Sequence, residues 1–313
     1  MRRKMLVTGA GGYLAWELLH VLSASGQWEI IAMTGNLEKT TSLYQDLQIT
    51  YVTNEDVFEK RFSLDGISHI IHTAFCRESR GENLAESLEF TKKLAVLASE
   101  SKVKLFINIS SQSVYGAENI ELSKEDGKMH PEYLYALAKC ASEIILDGVS
   151  KLSETVFTNV RVASLIGPGR FVPKNVLYKF IQSALDGEDF CVVGGKQKFS
   201  FLDVRDAAAA IVMLAGLESW EKVYNLGPAS RTEILFMADI VCEKVQKFTG
   251  QKPGYQFIPD DIRLLAGLDS GMLYKELDWK PKYSFSDTVE DTVKWILEYE
   301  RGSKIESECS EIW

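Results

Sequence analysis

The sequence predicts an α/β fold: a doubly wound parallel sheet with a smaller, interleaved C-terminal α/β domain. Three observations carry this. An apolar run at residues 4–8 breaks directly into Gly9-Ala10-Gly11-Gly12 and then a helical pattern. Strand-like segments that are apolar at nearly every position alternate with amphipathic ones up to about Ile166, as strands covered on both faces do. After Gly167 that alternation gives way to loops and separate helices.

In chain order, residues 4–8 (KMLVT) read as a buried strand, 13–23 as a helix ended near Gly26, and 29–33 (EIIAM) as a second strand. ITYV from Ile49 and HIIHTAF from His69 are the third and fourth strands, and 84–99 is a long amphipathic helix. VKLFINIS from Val103 is the fifth strand, 135–146 a helix, and 155–166 (TVFTNVRVASLI) one continuous strand. Then come a loop, GPGRFVPKN, a helix over 176–185, a single strand CVVGGKQKFSFLDV, and a helix from Asp206. These segments divide into a first domain over 1–166 with about 199–227, and a second over 167–198 with 228–313.

Composition narrows the function classes. The chain is 46% hydrophobic and 25% charged over 313 residues, which suits a globular protein rather than a disordered or fibrous one. A formal net charge of −9 argues against nucleic acid or an anionic membrane as partner. Five cysteines, Cys76, Cys140, Cys191, Cys242 and Cys309, form no CxxC pair, and His20, His69, His72 and His130 have no metal-ligand spacing. No metal site is expected, and free thiols suit the cytoplasm. The N-terminal apolar run is too short for a signal peptide or membrane span and reads as a strand.

The glycine segment carries the first chemical signal. Glycines allow a tight turn and close backbone approach, and the helix that follows offers unpaired N–H groups to a pyrophosphate. Gly9, Gly12, Tyr13 and Leu14 are the dinucleotide-binding candidates of a Rossmann domain. At the end of the second strand, where an acid would hold the adenine ribose, stand Thr34, Gly35 and Asn36. Without that carboxylate NADP is expected ahead of NAD. Lys39 is within reach of a 2′-phosphate and no arginine is in sight; the competing reading is that Thr34 and Asn36 merely form a turn.

The second signal is Tyr135-Ala136-Leu137-Ala138-Lys139, which puts a phenol and an ammonium on one helix face. The cation is expected to lower the tyrosine pKa and make it an acid/base near neutrality. Upstream, the fifth strand opens into Ser110-Ser111-Gln112-Ser113-Val114-Tyr115-Gly116, so serine hydroxyls stand where open α/β sheets bind ligands.

Together these motifs resemble the extended short-chain dehydrogenase/reductases, the NAD-dependent epimerase/dehydratase family, over nearly the whole chain. TGAGGYLA is similar to the family's TGxxGxxG loop, with Ala15 at the third glycine. HTAF resembles its HxAA turn, which implies Thr73 and Ala74 beside the cofactor. SSQSVYG resembles the catalytic strand, with Ser111 at the active serine. Tyr135 and Lys139 match the YxxxK pair, and RVASLIGPG, FLDVRDAAAA, YNLG and LDWKP follow in family order. The resemblance implies catalysis by Ser111, Tyr135 and Lys139, with the latter two also holding cofactor. The implied reaction is NAD(P)-dependent hydride transfer at a carbinol or carbonyl carbon of a nucleotide-linked sugar, by an epimerase or reductase, with a homodimer as the expected assembly.

Departures sharpen this. Gln112 and Ser113 stand where sugar-nucleotide dehydratases have Asp-Glu, which disfavours dehydration. Phe199 replaces the arginine that reaches a diphosphate, leaving Lys198 as a stand-in, and Ser87 and Ser164 stand at common asparagine positions. The rival readings are an NADPH-dependent reductase of a non-nucleotide ketone and a non-catalytic NAD(P)-binding regulatory protein. Trp279, Trp295 and Trp313 read as packing before pocket, and the polar C-terminal tail as frayed.

Overall fold

The computed structural model describes residues 2–77, 81–173 and 175–300. Trp313, Cys309 and the polar tail lie outside the described residues. The elements run β1 (Arg3–Thr8), α1 (Tyr13–Ser25), β2 (Trp28–Thr34), α2 (Leu37–Leu43), β3 (Ile49–Thr53), α3 (Asn54–Phe58), β4 (Ile67–His72), α4 (Gly81–Glu100), β5 (Leu105–Ser111), α5 (Leu134–Ser150) and β6 (Val156–Val162). There follow β7 (Ser164–Ile166), α6 (Val176–Asp186), β8 (Phe190–Val193), β9 (Lys198–Phe199), β10 (Phe201–Asp203), α7 (Val204–Ala215) and β11 (Val223–Leu226). The chain continues through β12 (Thr232–Glu233), α8 (Ile234–Thr249), β13 (Tyr255–Ile258), β14 (Leu265–Ala266), α9 (Gly271–Leu277) and α10 (Phe285–Trp295).

Seven strands form one parallel sheet in the order β11-β6-β5-β4-β1-β2-β3. The order reverses between β1 and β4, so the crevice at their C-terminal ends is where this topology binds ligands. The sheet is buried on both faces: α1 and α7 pack on one side, with Met5, Val7, Ile30, Leu18 and Ile211 in that core. Leu6, Ile31, Ile70, Phe106 and Leu94 fill the other, beneath α4 and α5. Ala15 is fully buried, its methyl occupying the space a third glycine would leave open.

A second core joins α6, α8 and α10 around Phe180, Ile181, Met237, Val241, Val289 and Val293. Arg205 at the start of α7 ties it to the sheet, donating to Asp203 at 2.7 Å and to Asp291 of α10 at 2.9 Å.

Three expectations change. The continuous strand over 155–166 divides at Ala163, where the chain leaves the main sheet and β7 pairs instead with β10. Small residues permit that switch: a Cβ on Gly227 would come 2.9 Å from the Ala163 methyl. The single strand expected across 191–204 is three short ones, because positive-φ Gly194 and Gly195 turn the chain after β8. The short helices α2 and α3 were not expected; side-chain caps from Asn36 and Thr53 start them.

Candidate active site

Two turns meet at the crevice. Gly9 has φ +64°, and a Cβ there would lie 2.9 Å from the backbone N and Cα of Ala74. Only glycine satisfies both the conformation and the contact. The facing turn is pinned to β1: Thr73 Oγ1 donates to the Thr8 carbonyl at 2.6 Å, and the Ala74 N–H donates to Thr8 Oγ1 at 3.2 Å. Gly12 is the N-cap of α1 and supplies no side chain to cap it, so the first-turn amides of Tyr13 and Leu14 face the crevice without a side-chain acceptor. A cradle that a Cβ would fill, opening onto an uncapped helix start, fits the pyrophosphate of a dinucleotide.

The side chains of Tyr13, Thr34 and Asn36 are otherwise engaged. Tyr13 donates its hydroxyl to the Gly167 carbonyl at 2.8 Å; burial, chiefly, holds this phenol well above its ordinary pKa. Thr34 Oγ1 is hydrogen-bonded to Thr40 Oγ1 at 2.7 Å and accepts the Asn36 N–H at 3.1 Å. Asn36 Oδ1 accepts the Lys39 N–H at 2.9 Å as the cap of α2. Thr34 and Asn36 therefore build the turn, and Gly35 with the backbone is what they leave exposed toward the β2 end.

On α5, Tyr135 and Lys139 share the face turned to the crevice. Lys139 is 3% exposed; its ammonium donates to the Ile109 carbonyl of β5 at 2.8 Å and lies 3.7 Å from the Phe75 ring centroid. Tyr135 is partly exposed, with its ring edge-on to Phe75 at 6.2 Å. Phe75 thus links the cradle side, through Ala74, to the Tyr-Lys pair. Phe75 stands last in the HTAF segment, where no local sequence feature gives it a role. Ser111, at the end of β5, accepts from the N–H and hydroxyl of Ser113 at 3.2 and 3.0 Å.

The expected depression of the tyrosine pKa is not what this geometry gives. Burial pushes the Tyr135 phenol up to about 12, against the opposing pull of Arg77 and the Ser111 hydroxyl. Lys139 is 5.7 Å from the Tyr135 ring centroid and gives up basicity itself: burial lowers its pKa to about 7, with Glu143 pulling back up and Arg77 adding to the fall. Between about pH 7 and the ordinary lysine range near 10.4, the folded chain therefore holds fewer protons here than the unfolded one. Stability contributed at this site rises with pH across that window. Denaturant titrations from pH 7 to 10 should show wild type gaining stability relative to Lys139→Met; a pH-independent difference would contradict the assignment.

Behind the pair lies a buried polar network. Glu143, one turn after Lys139, accepts from Ser110 Oγ at 2.5 Å and from the Arg161 guanidinium at 2.7 Å. Arg161 also donates to the Tyr115 hydroxyl at 2.7 Å, which donates onward to Asn225 at 2.9 Å. Gln112 reaches β7, its amide nitrogen donating to Ser164 Oγ at 3.0 Å and to the Ser200 carbonyl at 3.4 Å. Ser87 is buried, accepting the Cys76 N–H at 3.0 Å and donating to the Asn83 carbonyl.

His72 sits in the core between Thr8 and Thr91, and burial lowers its pKa to about 3. Trp279 is buried in the core and Trp295 packs against the second one. Lys198 pairs with Glu233, its cross-strand neighbour, at 3.4 Å. Among the described residues no group of three or more His, Cys, Asp and Glu is placed to hold a metal, and no helix is long and apolar enough to cross a membrane.

Comparison with known proteins matches residues 5–227 to the NAD dependent epimerase/dehydratase family. The chain belongs to that family. The family's description gives it a nicotinamide-dinucleotide cofactor, and the match covers both turns of the crevice and α5. An uncharacterised 37.6 kDa protein of Escherichia coli O111:H- is 28% identical over 220 residues, 64% of this chain and 65% of that one. The dTDP-glucose 4,6-dehydratase of Neisseria meningitidis serogroup B is 23% identical over 95% of this chain and 94% of its own. Among solved structures, UDP-glucuronic acid 4-epimerase from Bacillus cereus, in complex with NAD, superposes with a TM-score of 0.82 at 21% identity, covering 96% of this chain and 98% of that one. That likeness establishes the shared fold of this epimerase/dehydratase family member.

Proposed function

We propose that this chain is an NAD(P)-dependent oxidoreductase or epimerase that transfers hydride at a carbinol or carbonyl carbon of a nucleotide-linked sugar. The observation that carries the reading is the convergence of the Gly9–Ala74 cradle and the Tyr135–Lys139 face on Phe75. Bound there, a nicotinamide dinucleotide supplies a hydride donor or acceptor. Gly9 and Gly12, with the Tyr13 and Leu14 amides, hold its phosphates. Lys139 holds a ribose hydroxyl, and Ser111 orients the substrate oxygen. Tyr135 Oη gives a proton to that oxygen in reduction and takes it back in oxidation. A phenol raised to about 12 is protonated at neutral pH and so starts as the donor.

Dehydration is disfavoured. Elimination of water needs an acid/base pair beside the reacting carbons; here Gln112 points to Ser164 and Ser113 is hydrogen-bonded to Ser111. The substrate is assigned to the lobe formed by 167–198 and 228–300, with the first domain over 1–166 and 199–227. Lys196 lines an open depression there, alongside Asp260, Asp261 and an Arg263 that is paired with Asp261 at 3.5 Å, and its ammonium takes the anion-binding part that Phe199 and the paired Lys198 do not. Thermal-shift titration tests the reading. Reduced or oxidised dinucleotide should stabilise the protein, and a nucleotide diphosphate sugar should stabilise it further. Stabilisation by simple ketones alone would replace the sugar assignment, and no shift with any dinucleotide would remove the function.

A homodimer belongs to the same reading. Helix α5 exposes Leu134, Leu137 and Ile144, and its packing neighbour α4 exposes Val96, an apolar surface of the kind that marks association. Light scattering should give twice the chain mass, and a monomer mass at micromolar concentration would contradict it.

A further inference from the structure

Phe75 stands at the last alanine of the HxAA turn, and the backbone on both sides of it is held. Thr73 and Ala74 are tied to Thr8 of β1, and the Cys76 N–H donates to Ser87 Oγ of α4 at 3.0 Å. Ala74 also closes on Gly9 with no room for a Cβ between them. The side chain of Phe75, 8% exposed, is turned to α5. The Lys139 ammonium lies over its ring face, 3.7 Å from the centroid, and the Tyr135 ring stands across it at 82°. An aromatic face carries negative charge density and attracts a cation, most strongly where water is excluded. Lys139 meets that condition: one N–H is spent on the Ile109 carbonyl, and among the described residues no ion pair joins it to a carboxylate.

A methyl at position 75 would offer no such face. We propose that Phe75 is a positioning residue of the Tyr-Lys pair: its ring face holds the Lys139 ammonium, charged and shut off from water, for the cofactor ribose, and its packing fixes the tilt of the Tyr135 ring. Among the described residues, the charged and titratable groups around that ammonium come from three places. From α5 they are Tyr135 and Glu143, the second of which favours the charged lysine; from the chain after β4, Arg77, which opposes it. From β4 itself comes His72, which stays neutral with a pKa lowered to about 3, chiefly by burial. Arg161 of β6 pairs with Glu143 at 2.7 Å. A change confined to the Phe75 ring leaves all of these in place. Weakening its negative face disfavours the ammonium, so Lys139 gives up its proton at a lower pH.

This rests on the nicotinamide-dinucleotide reading, and the test separates the two. NADPH and NADH affinities are titrated by fluorescence across neutral pH for wild type, Lys139→Met, Phe75→Leu and Phe75→trifluorophenylalanine, whose ring keeps its shape but loses the negative face. Wild-type affinity should fall as pH rises through about 7, where Lys139 loses its proton, and Lys139→Met should show no such fall. Both Phe75 variants should move the fall down by about one pH unit, the scale of a desolvated cation–π contact. A ring that only fills space would leave the fall where it is in the trifluoro variant. A fall that stays at its wild-type pH, or moves up, in either variant overturns the proposal. A second readout needs no ligand. Stability toward denaturant, taken relative to the same protein with Lys139→Met, rises with pH from the point where the folded lysine titrates. That onset should move down by the same amount in both Phe75 variants, and an unmoved onset overturns the proposal. Binding of neither cofactor by wild type overturns the dinucleotide reading itself, and the onset then decides the contact between Phe75 and Lys139 alone.

Discussion

Tyr135→Phe is expected to lower turnover by about a hundredfold or more, the usual cost of losing a positioned general acid/base, with dinucleotide affinity unchanged. The substitution removes one hydroxyl and keeps the ring that packs edge-on to Phe75 and stacks with Tyr133 at 6.4 Å. Fold and cradle are therefore preserved, and the loss falls on kcat. Lys139→Met should act differently. It removes the ammonium held between Ile109 and Phe75, so it should weaken dinucleotide binding as well as turnover. Steady-state kinetics with cofactor titrations separates the two variants. Full turnover in Tyr135→Phe would end the proton-transfer assignment.

Arg161→Met is expected to cost about 3–5 kcal/mol of folding stability, the range for stripping one partner from a buried ion pair. Arg161 and Glu143 have side chains 5% and 6% exposed. Without the guanidinium, the Glu143 carboxylate keeps only the Ser110 hydroxyl in a site closed to water. Tyr115 would lose its charged donor at the same time. Glu143→Gln with Arg161→Met should cost less than the two single changes added together, because the second removes a charge that the first left unpaired. Denaturant midpoints for the four proteins test this; a single-variant loss under about 1 kcal/mol, the range of an exposed pair, would show that the network contributes little.

The parts of this protein legible in the sequence are those whose chemistry is local. Gly9 to Leu14 could be recognised because turn, helix start and preceding strand are contiguous. Tyr135 and Lys139 could be recognised because four residues on a helix fix a shared face. What escaped depends on chain segments meeting from afar. Phe75 gains a role only because α5 lies across from it. Arg170 comes to lie over Trp16 of α1 only because the loop after β7, held at Gly167 by the Tyr13 hydroxyl, returns to that helix. The strand break at Ala163 has no local signal, since β7 is as apolar as β6; it follows from which partner each strand finds. The Tyr135 pKa went the wrong way for a related reason. The spacing gives the distance to a cation but not the burial of either group, and burial dominates both.

The central claim is that hydride passes to or from a sugar carbon beside Tyr135, and isotope transfer tests it most directly. The protein is incubated with nucleotide-linked keto sugars and reduced dinucleotide carrying deuterium at the transferring ring carbon, and products are read by mass spectrometry. The account predicts deuterium on the new carbinol carbon with wild type and about a hundredfold or more less of it with Tyr135→Phe. A product formed without deuterium, equal labelling by the two proteins, or no product from any nucleotide-linked sugar would contradict it.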